Sequence, residues 1–221
     1  MNNFPKNLTV LLEPTAECNL RCRHCYHAKT DYVKNRMSIS TLNKFLKCIA
    51  SYYKDVKIIW HGGEPLLMGY EFFKEAYTLF KQFSAEYNIH FKFGIQTNGT
   101  LLDDDLIDLF VKTNTHISIS FDGIYNDVLR QRTKEVECVI DKLKNRGVEI
   151  SCISTISSAN VSHMKEMYEY FKSLAISVKF NPIYPDGAAT INNKFLITKE
   201  DWAHNFIELF EYWYNDADCN I

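Results

Sequence analysis

The sequence predicts an α/β protein with a parallel sheet inside and helices outside. Two observations predict it. Six apolar or β-branched runs alternate with six longer segments of helical periodicity, the pattern of repeated strand–helix units. The loops after the first strand runs are also rich in cysteine, glycine and polar residues, and such loops carry the ligands in parallel α/β folds.

The strand runs are Leu8–Leu12, Val56–Trp60, Phe91–Gln96, His116–Phe121, Glu149–Ile156 and Ser177–Pro182. The first helix, Ser40 to Tyr53, sets Leu42, Phe45, Leu46, Ile49 and Tyr53 on one face. The second, Tyr70 to Tyr87, does the same with Phe73, Ala76, Tyr77, Phe80 and Phe83. Asp103 to Lys112 has acidic residues in its first turn, which suits the helix dipole. Asn126 to Arg146 reads as one helix ended by Gly147. Asn160 to Leu174 is the fifth, and the sixth opens with the capping box Thr198-x-x-Asp201. Six units are fewer than a closed barrel of this kind needs.

Bulk properties exclude several classes. The chain has 221 residues, 46% hydrophobic and 14% aromatic, ample for one buried core. A net charge of −2 with dispersed basic residues gives no support for a nucleic-acid partner. No stretch approaches the ~20 apolar residues that span a bilayer, and no signal-peptide core opens the chain. A cytoplasmic protein is expected.

Cys18, Cys22 and Cys25 form a C-x3-C-x2-C string just after the first strand. Three thiolates this close suit three corners of a [4Fe–4S] cluster and leave the fourth iron open to a small molecule. The rivals are a Cys3His zinc loop completed by His24 or His27, and an electron-transfer cluster with an outside ligand. Either would make this a binding or structural module. Disulfides fit poorly with seven cysteines in a chain expected to be cytoplasmic. Cys48, Cys138 and Cys152 read as buried small hydrophobes; Cys219 alone is a candidate for a missing auxiliary cluster, though its terminal position and lack of a partner in the sequence favour the ordinary reading.

The cysteine spacing resembles the cluster motif of the radical S-adenosylmethionine (radical SAM) enzymes. The form Cys18-Asn19-Leu20-Arg21-Cys22-x-x-Cys25-Tyr26 resembles the SPASM branch, which matures peptides and proteins. The resemblance implies a partial (β/α)6 barrel as the core, over residues 1–214, with 215–221 expected to start a missing or truncated C-terminal region, a natural short form being the alternative. It implies a [4Fe–4S] cluster and S-adenosyl-L-methionine as cofactors, and an electron donor of the flavodoxin or ferredoxin kind. It also implies hydrogen abstraction by a 5′-deoxyadenosyl radical.

The other strand-end motifs gain meaning from it. His61-Gly62-Gly63-Glu64-Pro65 is by itself a Gly-Gly turn with a surface glutamate. Beside the cysteines it resembles the family's GGE motif, which implies that Gly62, Gly63 and Glu64 bind the amine of S-adenosylmethionine. Gln96-Thr97-Asn98-Gly99 is a tight turn that in the family faces the methionine part, so Thr97 and Asn98 are candidate contacts. On strand four, Ser118 and Ser120 share one face, opposite Ile119 and Phe121, and read as a buried pair. The family uses a serine here and a later arginine for the ribose and carboxylate; Ser120 and Arg130 match, with Arg132 as a competitor. Asn181, at the end of strand six, is a candidate ribose or adenine contact.

No general acid or base is evident. The resemblance implies a peptide or protein substrate. Thioether or carbon–carbon crosslinking of a ribosomally made peptide is favoured over formylglycine formation in a sulfatase. With strand one starting near residue 8, no leader-binding domain is expected ahead of it.

Overall fold

In the computed structural model, residues 6–27 and 35–218 are described. Strand β1 (Asn7–Leu12) is followed by helix α1 (Ile39–Ile49), β2 (Asp55–Trp60), α2 (Gly69–Tyr87), β3 (His90–Thr97) and α3 (Asp104–Lys112). Then come β4 (Thr115–Ser120), α4 (Asn126–Leu129), α5 (Thr133–Asn145), β5 (Ile150–Ile156), α6 (Met164–Ser173), β6 (Ser177–Pro182), α7 (Ala188–Ile191) and α8 (Lys199–Tyr214). The six strands form one sheet in the order β1-β2-β3-β4-β5-β6. The pairs β1–β2, β2–β3 and β5–β6 are parallel. Six strand–helix units in sequence order are the architecture expected. The chain falls into two compact units: the first holds β1 to β3, α1 to α3 and the start of β4, and the second holds the rest together with residues 20–31 and 98–100.

The first unit is built around Trp60. Val56, Ile58 and Trp60 alternate into the interior of β2, as strand geometry requires. The Trp60 ring meets Phe72, Phe73 and Phe80 edge-on at 5.8, 5.5 and 6.0 Å. Tyr77 packs on Phe93 at 4.9 Å, and its hydroxyl lies 2.8 Å from Thr115 Oγ1. All five residues expected on the inner face of α2 are buried. On α1 the buried stripe is Leu42, Leu46 and Ile49; the helix ends before Tyr53, and Phe45 is only half-buried.

In the second unit, β5 and α6 enclose Ile156, Met164, Met167 and Tyr168, with Leu209 of α8 against them. Thr198 caps α8 as expected, its Oγ1 accepting from Asp201 N at 3.0 Å. The single helix expected over 126–146 is two helices. Arg130 is extended and Arg132 has φ +61, so the chain turns between them. At this turn Arg130 Nε donates to the buried Asp122 carboxylate. Two cysteine expectations also fail. Cys48 and Cys138 are exposed, while Cys152 is buried. Each lies two residues beyond a buried position (Leu46, Val136), and two residues rotate a helix about 200° away from the core stripe.

Lys172 Nζ and the Tyr168 hydroxyl each lie 2.6 Å from Asp216 Oδ2 and donate to it, tying the chain after α8 to α6. Lys172, then Tyr168, hold this carboxyl down at about 2, from 3.8. A depressed carboxyl stabilises the fold above its unfolded value and ceases to do so as the pH falls through its folded one. Stability therefore declines between about pH 4 and pH 2 by a component that Asp216→Asn lacks. Urea titrations of both proteins across that range measure it, and parallel acid limbs would contradict it.

Candidate functional site

The candidate residues lie in loops at the carboxyl ends of the strands, some in each unit. In the first unit, the turn after β2 runs along the segment that leads from β1 into Cys18. His61 N donates to Leu12 O at 2.8 Å, Gly63 N to Thr15 O at 3.0 Å and Glu64 N to Glu17 O at 2.7 Å. This approach is possible only without side chains. A Cβ on Gly63 would stand 2.2 Å from Glu17 O and 2.5 Å from Ala16 O, and one on Gly62 (φ +107) would stand 2.6 Å from Thr15 O. The two glycines thus let the His61–Glu64 turn lock onto the residues next to Cys18.

Glu64 is 1% exposed, which removes the surface-glutamate reading. Its Oε1 accepts from Leu66 N at 3.0 Å and from Thr97 Oγ1 at 2.7 Å. Thr97, at the end of β3, is itself buried. The structure therefore joins two sequence-derived candidates, Glu64 and Thr97, and fixes the carboxylate at one oxygen.

In the second unit, residues 20–27 form an irregular loop with Cys22 and Cys25. Cys25 N donates to Cys22 O at 3.2 Å. None of the described cysteines is in a disulfide. Asn98 Oδ1 accepts from Thr100 N and Thr100 Oγ1 at 3.0 and 2.7 Å, so its oxygen shapes the turn after β3. Ser118 and Ser120 are half-buried rather than buried, on the face of β4 opposite the fully buried Ile117 and Ile119. Asn181 is half-buried and in register with Thr155.

Arg130 lies inside a polar network that sequence reasoning did not assemble. Its Nε donates to Asp122 Oδ2 at 2.9 Å, and its Nη2 to Thr155 Oγ1 at 3.1 Å. Asp122 is fully buried, and its Oδ1 accepts from Thr155 N at 2.7 Å. Burial raises the Asp122 carboxyl on balance, against the opposing pull of the Arg130 guanidinium and the Thr155 amide. Thr155 Oγ1 is also 3.3 Å from His24 Nε2. Burial, and then the nearby Arg130 charge, hold His24 down at about 3, so it is neutral. The competitor Arg132 is half exposed and pairs with Glu135 instead, at 3.6 Å. Cys219 lies outside the described residues.

These residues fit an iron–sulfur cluster. The donor set is three thiols within one short loop, which suits iron or zinc. Between two of them, His24 Nδ1 is buried with no hydrogen-bond partner, an arrangement that buried polar atoms rarely keep unless a further group is bound.

Comparison with known proteins adds to this. A family model described as Radical SAM superfamily matches residues 12–171. The serine-type anaerobic sulfatase-maturating enzyme of Klebsiella aerogenes is 26% identical over 230 residues, taking in 97% of this chain and 56% of that protein. Native anSMEcpe with bound AdoMet superposes with a TM-score of 0.84 at 25% identity, over 95% of this chain and 61% of that one. Streptococcus suis SuiB bound to precursor peptide SuiA gives 0.66 at 16% identity, over 96% and 46%; at that identity the likeness is one of fold. The chain thus spans little more than half the length of the sulfatase-maturating relative it matches.

Proposed function

The chain belongs to the radical SAM superfamily, and from that premise we propose that it oxidises a side chain of a peptide or protein in the cytoplasm. The family's cofactors are a [4Fe–4S] cluster and S-adenosylmethionine. Cys18, Cys22 and Cys25 are the ligands of the cluster in this reading. When bound, the pair supplies one-electron cleavage of a sulfonium and, through it, hydrogen abstraction from an unactivated C–H bond.

The observation that carries the reading is the lock between the Gly62-Gly63-Glu64 turn and the residues beside Cys18. The turn presents a desolvated carboxylate, held by Thr97, next to the first cysteine. A buried carboxylate favours a cationic partner such as an amine. Arg130 spends its Nε and one Nη2 hydrogen on Asp122 and Thr155. A guanidinium has further N–H groups, and the family resemblance assigns these to a carboxylate. Asn98, Ser120 and Asn181 are assigned contacts to its methionine and ribose parts.

The substrate gives up a hydrogen atom, then an electron and a proton. A flavodoxin- or ferredoxin-like carrier delivers the first electron, and an oxidised carrier of the same class takes the second. The likeness over 97% of the chain to a serine-type sulfatase-maturating enzyme favours formylglycine formation from a peptide serine or cysteine. Peptide crosslinking, the outcome the sequence motifs favour, is the second reading.

Anaerobic reconstitution with iron and sulfide, followed by assay for 5′-deoxyadenosine under dithionite, tests the proposal. A brown protein that forms the product, and a Cys18→Ala/Cys22→Ala/Cys25→Ala variant that forms none, are expected. A colourless, zinc-loaded protein would overturn it. Mass spectrometry of a serine-bearing sulfatase peptide and its cysteine counterpart then separates the substrates. An aldehyde trapped by a hydrazine reports formylglycine, and an alkylation-resistant cysteine without aldehyde reports a thioether.

A further inference from the structure

Residues 20–27 have no regular secondary structure, yet two ligand cysteines of the proposed cluster sit among them. An irregular loop holds a fixed shape only if its backbone groups are bonded to something firmer. On one side that support is the α4 end. Arg23 N donates to Leu129 O at 2.8 Å, Arg23 Nη1 to Val128 O at 3.2 Å, and Arg21 N to Gln131 Oε1 at 3.1 Å.

The other side is the short segment around α7. Ala188 N donates to Cys25 O at 2.9 Å. Asn192 Nδ2 donates to Arg23 O at 3.0 Å and to Ala188 O at 3.1 Å. Gly187, with φ +57, touches the loop so closely that a Cβ there would lie 2.4 Å from Cys25 O and 2.6 Å from Tyr26 Cα. Both supports share one apolar cluster: Leu129, Ile183, Ala189 and Phe195 are all buried in it. The loop is gripped from two sides by elements packed on each other.

We propose that Gly187 and Asn192 are positioning residues for the cysteine loop. By fixing the carbonyls of Arg23 and Cys25, they keep the Cys22 and Cys25 thiols in the geometry that holds iron, and so set how tightly the loop retains it. The inference rests on the cluster reading above, but the clamp itself can be tested without a cluster.

In the metal-free protein, alkylation rates of Cys22 and Cys25 are followed by mass spectrometry, with exposed Cys48 as the internal standard. Gly187→Ala and Asn192→Asp are compared with wild type; the second keeps the shape of the side chain and removes its N–H donors. Both variants are expected to alkylate Cys22 and Cys25 faster relative to Cys48, by roughly three- to tenfold, the factor that one hydrogen bond is worth. In the reconstituted protein, bleaching by an iron chelator is expected to accelerate by a similar factor, with an unchanged melting curve for Asn192→Asp. Wild-type alkylation rates in Asn192→Asp overturn the clamp, whether or not Gly187→Ala folds. If wild type takes up no cluster, the cluster reading fails while the alkylation comparison still decides the clamp. Faster alkylation with unchanged iron release would refute its role in retaining iron.

Discussion

Asp122→Ala is expected to remove about 3–5 kcal/mol of stability, the usual cost of leaving a buried charge without its partner. Asp122 is fully buried and the Arg130 side chain 11% exposed, so water does little for either once the pair is broken. The carboxylate also accepts the amide of Thr155, where β5 ends. Its own amide donates to Asn126 Oδ1 at 3.1 Å. Its loss therefore frees the arginine, the end of β5 and the turn into α4 together. Urea unfolding measures the effect, and a loss below about 1 kcal/mol would mean the pair is solvated in solution. Arg130→Ala strands the opposite charge and should cost a similar amount. The double variant should cost clearly less than the sum of the two, since residues in one ion pair are not additive. Asp122→Asn adds a functional readout. It retains the shape but not the charge that aims Arg130, so S-adenosylmethionine binding by calorimetry should weaken more than the melting point falls.

That network also shows what the sequence does not disclose. The partners of Asp122 lie 8 and 33 residues away, and nothing in the string Ser118–Gly123 identifies them. The bend that brings Arg130 back has no proline or glycine at residues 126–132 to announce it. The helical pattern therefore reads straight through from Val128 to Leu143. The strands were legible because β-branched and aromatic runs repeat with little interruption, and β6 has the bounds the pattern implied. Helix faces were legible where the apolar stripe is wide, as on α2. They were not legible for Cys48 and Cys138, where a small residue type carries no signal of which way it points. At the site, the cysteines and the Gly-Gly-Glu turn stand out as local strings. His24 and Thr155 do not, because their roles come from a contact between residues 131 apart.

Gly63→Ala is the second large effect, and its cause is space rather than backbone strain. The two nearest atoms to the added Cβ, at 2.2 and 2.5 Å, are backbone carbonyl oxygens of Glu17 and Ala16. These cannot swing aside as a flexible side chain would. The turn must back away, and doing so stretches the bonds Gly63 N–Thr15 O and Glu64 N–Glu17 O. Overpacking of this kind costs about 1–3 kcal/mol, and each hydrogen bond lost adds about 1 kcal/mol. With both bonds lost, a total of roughly 3–5 kcal/mol is expected from denaturant unfolding. Gly69 supplies the contrast. It has φ +76 and ψ 166 but nothing within 4 Å of a Cβ, so Gly69→Ala carries only the backbone cost of a region open almost solely to glycine, on the order of 1–3 kcal/mol. The two variants differ most in what they do to the site. Gly63→Ala moves Glu64 away from the residues beside Cys18, so reconstituted protein should lose S-adenosylmethionine binding. Gly69→Ala, beyond the turn, should keep it. Equal binding by both would mean that the approach of the turn to the residues beside Cys18 does not shape cofactor binding.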